Sequence, residues 1–198
     1  MKNIIVAGTL SYDFIMDFSG RFADRIMPDK LHCLSLSFLV DKLSKQQGGT
    51  AGNIAYSMRL LGLHPVILSP AGNDFGPYKV FLEKHHITTK YISVHKNVAT
   101  SAYFVMTDKD DSQIGSFYTG ATKYAKNHHI SDVPECEPFV MLAPTEPKAM
   151  IQYVRECKKL RMKYMYDPAF QIGNFTSEEL KDGITHAQIL IGNDYEIA

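Results

Sequence analysis

Five short, continuous runs of apolar residues constrain the fold of this 198-residue chain more than any other feature. Such runs are typical of strands covered on both faces, as in a parallel sheet. Helical patterns lie between them, including one that starts near Pro147 and a Thr176/Glu179 capping box that predicts a helix through about His186. Alternating strands and helices predict a three-layer α/β body with a mostly parallel sheet. The five runs are residues 4–7, 66–68, 139–142, 164–166 and 189–191.

Two regions depart from this rhythm and predict a second, smaller sheet. Residues 34–40 alternate mostly apolar with polar side chains, as a half-buried strand does. Residues 101–107 and 113–119 flank the polar turn 108–111 and predict a hairpin. Together with residues 14–21, these segments would form a small sheet outside the main body.

A glycine-rich turn at residues 48–53 leads directly into an amphipathic helix with Ile54, Met58 and Leu61 on one stripe. Glycines let the backbone approach a ligand closely. The unpaired N–H groups at a helix start favour anionic or oxygen-rich ligands. From the residues alone, a tight strand-to-helix connection that binds nothing explains the turn equally well.

Asp13 lies five residues beyond Gly8, where the first strand should leave the carboxyl edge of the sheet. Ligands of open α/β sheets bind at this edge. A carboxylate there can accept charge-assisted hydrogen bonds from two adjacent hydroxyls of a sugar ring. A solvated loop aspartate or a helix cap is the alternative that these residues leave open.

The wider spacing of Gly49, Asn53, Ala55 and Gly62, followed by Gly-Asn-Asp-Phe-Gly at 72–76, resembles the N-terminal signature of the PfkB/ribokinase family of carbohydrate and nucleoside kinases. Asn-Asp-Tyr-Glu at 193–196 is similar to the N-x-x-E motif of that family. The stretch 28–56 looks most like bacterial adenosine-kinase-like members. The resemblance extends over the whole chain, in the order of the family.

This resemblance implies a ribokinase-like body with a small β-sheet lid, inserted at about 14–45 and again at about 99–120. It also implies that residues 1–198 are the N-terminal two-thirds of a kinase domain. On this resemblance, the C-terminal nucleotide-binding part would be missing from these residues, and so would the glycine-rich motif whose aspartate is the family's catalytic base. We therefore expect no catalytic residue in this chain and no kinase activity from these 198 residues alone.

The resemblance assigns two groups of site residues. Asn193 and Glu196 would shape the Mg²⁺ and phosphate region, largely through water; a simple cap on the following helix is the alternative. Ser11 stands where sugar kinases often carry Asn. The residues expected to contact the sugar are Ser11, Asp13, Gly48, Gly49 and Asn53.

The function that the resemblance implies is transfer of phosphate from ATP to the 5′-hydroxyl of a nucleoside, as in adenosine kinase, with Mg²⁺ as cofactor. A ribokinase- or fructokinase-like sugar kinase and a non-catalytic sugar- or nucleoside-binding protein remain as alternatives. A nicotinamide-dependent oxidoreductase is disfavoured because residues 8–13 lack the second and third glycines of G-x-G-x-x-G.

Composition and charge limit the kinds of partner that the chain is expected to bind. The 21 basic and 21 acidic residues balance, so nothing favours nucleic acid or a membrane surface, and no apolar run approaches about 18 residues. Three widely spaced cysteines and the lack of a signal-peptide pattern indicate a cytoplasmic protein with reduced thiols. Relatives form lid-to-lid dimers, so a homodimer through the lid is a further expectation. The histidine pairs 85–86 and 128–129 are expected at the surface or at helix ends.

Overall fold

The computed structural model describes residues 3–134 and 136–197, with all side chains in those ranges except those of Cys136 and Tyr195. In these ranges ten strands form two sheets; four of the five α-helices lie between strands along the chain, and the fifth follows the last strand. The strands are β1 (Asn3–Ala7), β2 (Ser11–Asp17), β3 (Lys42–Gly48), β4 (Pro65–Gly72), β5 (Ile92–His95), β6 (Ser101–Thr107), β7 (Gln113–Tyr118), β8 (Cys136–Leu142), β9 (Lys163–Tyr166) and β10 (Ile189–Leu190). The helices are α1 (Thr50–Leu60), α2 (Gly76–Lys84), α3 (Pro147–Leu160), α4 (Ser177–Thr185) and α5 (Asp194–Ile197).

The larger sheet has six strands in the order β10-β9-β8-β1-β4-β5, and all five pairings are parallel. Each of the five apolar runs falls on one of its strands, which confirms the predicted parallel sheet. The sequence analysis missed β5, because its four residues include Ser93 and His95 and so do not form an apolar run.

The smaller sheet has the order β3-β2-β6-β7 and is mixed, with β2 antiparallel to β3 and parallel to β6. The predicted hairpin is confirmed, since β6 and β7 pair antiparallel. The strand predicted at 34–40 is wrong: these residues form no strand, and β3 begins at Lys42. The pairing of β3 with β2 runs from Asp17 opposite Lys42 to Ser11 opposite Gly48. Because β3 pairs along the whole of β2, this side of β2 leaves residues 34–40 no partner.

The parallel sheet is covered on both faces, which gives the predicted three layers. Ile5 and Ala7 of β1 pack in the core beneath α3, whereas Val6 between them packs beneath α1 and α2. The stripe predicted on α1 is partly wrong. Its buried positions include Ala51, Ala55 and Met58, and Leu61 caps the helix end with 78% of its surface exposed.

The direction of the chain reverses between β1 and β8. From β1 it proceeds outward to β4 and β5, and it later returns to build β8, β9 and β10 on the other side. Such a reversal leaves a crevice at the carboxyl ends of the two central strands, where open α/β sheets bind ligands. Thr9 closes the floor of this crevice, because its hydroxyl and its N–H both donate to the carbonyl of Pro144, at 2.8 and 3.1 Å.

Candidate functional site

Asp13 lies directly over Gly48 at the start of the small sheet. Ser11 and Gly48 face each other across β2 and β3, and a Cβ atom at position 48 would overlap the carboxylate of Asp13. Burial raises the pKa of Asp13, and a hydrogen bond donated by the Ser11 hydroxyl to Oδ1, at 3.1 Å, opposes this shift. A half-buried carboxylate in this position gains from further hydrogen-bond donors, which a ligand with adjacent hydroxyls would supply.

Gly49 holds the turn against the loop that leaves β1. Its φ is 84° and its ψ is 143°, a conformation that is essentially restricted to glycine. A side chain here would strike the backbone carbonyl of Thr9 and lie 2.6 Å from the nitrogen of Ser11. The N–H of Ala51 also donates to the carbonyl of Thr9, at 3.0 Å. The start of α1 and the strand carrying Asp13 are therefore fixed to one another through backbone contacts.

Tyr78, on α2, supports the glycine turn from below. Its hydroxyl donates to the carbonyl of Gly48 at 2.7 Å, and only 1% of the residue is exposed. Gly52 makes room for it, since a Cβ there would overlap the tyrosine oxygen. Burial, followed by the negative charge of Asp13, raises the pKa of Tyr78 well above its ordinary value, so the phenol stays neutral. No sequence pattern identified Tyr78, because its role depends on where α2 packs.

Asn53 lies in the first turn of α1, four residues after Gly49, and its N–H donates to the Gly49 carbonyl at 3.0 Å. Its side chain is exposed. Asn53 and Asp13 are thus both attached to the Gly48–Gly49 turn, one through the helix that follows it and one through the strand that pairs with it.

The Gly-Asn-Asp-Phe-Gly segment at 72–76 ties the small sheet to the body. Asp74 Oδ1 accepts the N–H of Thr100 at 2.7 Å, next to the start of β6. The hydroxyl of Tyr12, on β2, donates to the carbonyl of Asp74 at 2.9 Å. Gly72 donates its N–H to the hydroxyl of Thr100 at 2.9 Å. This motif therefore anchors two strands of the small sheet at their bases.

Asn193 and Glu196 cap α5 reciprocally. The N–H of Glu196 donates to Asn193 Oδ1 at 2.8 Å, and the N–H of Asn193 donates to Glu196 Oε2 at 3.0 Å. The capping interpretation of this motif is therefore correct at the level of local structure. It does not conflict with a ligand role, since a carboxylate has further lone pairs.

A second carboxylate, Asp167, accompanies Glu196 at the carboxyl edge. Burial and then the charge of Glu196 raise the pKa of Asp167 to about 6. Two carboxylates that repel each other in this way would be stabilised by a hard cation with oxygen ligands. Within the described ranges, no cluster of three or more His, Cys, Asp or Glu is arranged to hold a metal ion.

The face of the small sheet that carries Asp13 is turned toward the body. Asp13 pairs with Tyr103, and Tyr103 pairs with Phe117, so the three side chains form one row on one face. Phe117 in turn contacts Phe170, which follows β9, with ring centroids 5.8 Å apart. Asp13 and the carboxyl edge of the parallel sheet consequently lie on the two sides of one cleft.

The other aromatic residues of the small-sheet region pack locally. Phe38 contacts Phe18 and Phe22, at centroid distances of 5.0 and 5.2 Å. Phe104 stacks on Phe14 at 4.7 Å, on the face opposite Asp13. Phe117, by contrast, reaches across to Phe170 of the body.

A doubly wound parallel sheet with a small mixed sheet closing over its carboxyl edge defines a ribokinase-like fold. The chain matches the pfkB family of carbohydrate kinases over residues 1–198, and it belongs to that family. The resemblance drawn from the glycine turn, the 72–76 segment and the N-x-x-E motif is thereby confirmed.

Known nucleoside kinases are similar to the chain over nearly its whole length. The Methanothermobacter thermautotrophicus nucleoside kinase is 26% identical over 99% of this chain and 61% of its own length. The structure of Burkholderia thailandensis nucleoside kinase in complex with inosine superposes with a TM-score of 0.87 at 28% identity, covering 98% of this chain and 61% of that one. The Methanocaldococcus jannaschii nucleoside kinase shares the fold, with a TM-score of 0.84 at 24% identity and coverage of 100% and 62%. The chain thus spans about three-fifths of the length of these relatives. Within the described ranges, every helix is too short or too polar to cross a bilayer.

Proposed function

We propose that this chain is the substrate-binding part of a nucleoside kinase that transfers phosphate from ATP to the 5′-hydroxyl of a nucleoside. The arrangement that carries the proposal is the row of Asp13, Tyr103 and Phe117, which faces the carboxyl edge of the body. It combines a carboxylate suited to a diol with aromatic surface suited to a base. The similarity to two nucleoside kinases and to one solved with inosine supports the same conclusion.

In this proposal Asp13 accepts hydrogen bonds from the two ribose hydroxyls, and Ser11 orients its carboxylate. The half-buried position of Asp13 supports this role, because each hydrogen bond donated to a partly desolvated carboxylate is charge-assisted. Gly48 leaves space above its Cα for the carboxylate, and Gly49 lets the backbone approach the sugar. Asn53 offers one donor and one acceptor from the first turn of α1.

The Phe117–Phe170 pair favours a nucleoside over a free sugar. Phe170 has 61% of its surface exposed, and its ring is tilted 51° from that of Phe117. The exposed ring of Phe170 offers an apolar surface on which a base can stack, which ribose or fructose does not need. The contacts to a diol suit a nucleoside and a free sugar equally, so a sugar kinase remains the alternative.

Asn193 and Glu196, together with Asp167, are proposed to organise the phosphate and Mg²⁺ region. Their oxygen atoms and the mutual repulsion of the two carboxylates suit a hard cation. Mg²⁺, when bound with ATP, would neutralise charge on the phosphates. Asp167, Asn193 and Glu196 would orient the phosphate and Mg²⁺ region from the ends of β9 and β10.

Isothermal titration calorimetry of the chain with inosine, adenosine, ribose and fructose tests the proposal. We expect a nucleoside to bind at least tenfold more tightly than either sugar. Asp13→Asn should weaken nucleoside binding by about 10- to 100-fold, which corresponds to roughly 1.5–3 kcal/mol for hydrogen bonds to a charged group.

Asp17→Asn is the matched control, because Asp17 lies on the same strand and the same face but at its exposed far end. It should change the affinity by less than twofold. Tighter binding of ribose or fructose would favour the sugar-kinase alternative, and equal effects of the two substitutions would contradict the role of Asp13.

A further inference from the structure

A serine hydroxyl lies between two histidines at the β5 edge of the parallel sheet. Ser93 Oγ is 3.1 Å from His95 Nε2 on the same strand and 2.7 Å from His128 Nε2 on the segment that follows the small sheet. The ring of His95 stacks on Tyr124, with centroids 4.0 Å apart and planes 9° from parallel. His128 caps the 3-10 helix Gly120–Asn127, so it lies at a helix end, one of the two expected places, and it is buried there with only 8% of its surface exposed.

The segment that carries His128, residues 120–132, is held from three directions. At the base of the small sheet, Ser101 Oγ donates to the carbonyl of Thr119 at 2.6 Å. From α3, the Tyr153 hydroxyl donates to the Ala125 carbonyl at 2.7 Å, and Gln152 Nε2 donates to the His128 carbonyl at 2.8 Å. The third attachment is the contact of His128 with Ser93 on β5.

The shared hydroxyl limits how many protons this third attachment can hold. Ser93 has one proton, so between two neutral rings it donates to one Nε2 and accepts from the N–H of the other. One charged ring is tolerated, because it can donate to the hydroxyl while the hydroxyl donates to its neighbour. With both rings charged, both donate to Ser93, its own proton loses its acceptor, and two like charges face each other across one oxygen.

Burial makes His128 harder to protonate in the folded chain. Burial lowers the pKa of His128, the neighbouring His95 and His129 lower it further, and Asp132 opposes the shift. His129 responds in the opposite direction: its Nδ1 is 2.6 Å from Glu156 Oε1 on α3, and this hydrogen bond raises the pKa of His129. Acid therefore weakens the attachment to β5 and strengthens the attachment to α3.

We propose that Ser93, His95 and His128 form a pH-responsive fastening that holds residues 120–132 against β5. As the pH falls below neutrality, the segment separates from β5 while His129 keeps it attached to α3 through Glu156. Because the segment begins directly after β7, this fastening also sets the position of the base of the small sheet.

The sign of the effect follows from proton linkage. A histidine whose pKa is lower in the attached state than in the released state takes up a proton on release. Its contribution to attachment is present above pH of about 6.5, the ordinary pKa of histidine, and is lost as the pH falls. Between the two pKa values, the opening constant should rise by up to tenfold for each pH unit of acidification.

Hydrogen–deuterium exchange of the chain at pH 7.5 and 5.5, normalised for the intrinsic exchange rate at each pH, tests this proposal. We expect the normalised exchange of peptides covering 120–132 to rise by several-fold to about tenfold at the lower pH. His128→Gln, which retains a polar side chain but does not titrate, should abolish the rise. His129→Gln is the matched control and should retain it.

An unchanged exchange in the unmodified chain, or an equal rise in the His128→Gln variant, would overturn the proposal. If that variant does not fold, a proton NMR titration of His128 in the unmodified chain decides instead. A pKa below 6.5 that is accompanied by shifts of Ser93 and His95 resonances supports the fastening, whereas a pKa of 6.5 or above refutes it.

Discussion

Gly49 offers the sharpest test of how the glycine turn positions the site, because Gly62 provides a comparison glycine that also has a positive φ but no close neighbour. Gly49 and Gly62 both have positive φ, at 84° and 79°. A Cβ at Gly62 would meet nothing within 4 Å, whereas a Cβ at Gly49 would strike the backbone around Thr9 and Ser11. Gly62→Ala therefore adds only backbone strain, about 1–2 kcal/mol. Gly49→Ala adds overpacking against a backbone that cannot rotate away, about 1–3 kcal/mol more.

Urea denaturation of the two variants measures the difference directly. We expect Gly49→Ala to lower the free energy of unfolding by roughly 2–5 kcal/mol, about 1–3 kcal/mol more than Gly62→Ala. With a slope of about 2 kcal/mol per molar urea, the midpoints should differ by about 0.5–1 M or more. Equal midpoints would refute the argument that contact with the Thr9–Ser11 backbone, rather than φ alone, requires glycine at position 49.

Two further predictions concern buried polar groups at the same edge of the sheet. Asp167 has a pKa raised to about 6, so its contribution to stability is present below pH of about 4 and is lost as the pH rises through 6. As the pH rises from 4.5 to 7.5, the free energy of unfolding of Asp167→Asn should therefore increase relative to that of the unmodified chain, by about 1 kcal/mol after allowance for partial exposure. Thermal or urea unfolding at both pH values measures this difference. Tyr78→Phe removes the donor to the buried Gly48 carbonyl and should cost about 1–2 kcal/mol in urea unfolding, whereas Tyr56→Phe, whose ring packs on Phe81, should cost less than 0.5 kcal/mol. A loss of equal size in both tyrosine variants would contradict the supporting role of the Tyr78 hydroxyl.

The parallel sheet could be predicted from the sequence because strands buried on both faces consist of uninterrupted apolar residues. Residues 4–7 and 66–68 are apolar without interruption, and both lie on strands between two helical layers. The strand β5 left no such trace, since two of its four residues are the polar Ser93 and His95. Residues 34–40 show the converse: alternation favours a strand, but these residues form none, and β3 takes the place beside β2.

The residues of the candidate site likewise fall into those that the sequence predicts and those that it does not. Asp13, Gly48 and Gly49 could be singled out because a strand end and a strained turn require particular residue types. Tyr78, Phe170 and the neighbours of Asp167 could not, since a tyrosine, a phenylalanine or an aspartate at those positions suits many environments.

The amino-acid sequence by itself determined which segments are buried, where the chain turns, that a carboxylate follows the first strand, and that a glycine turn leads into a helix. These features depend on backbone geometry and on neighbours within a few residues. Only the tertiary structure decided that Phe117 meets Phe170 across the cleft, that Tyr78 supports Gly48, and that His128 is buried against Ser93. Each of these contacts joins residues 30 or more positions apart along the chain, and such contacts depend on how whole elements pack, which no local pattern records.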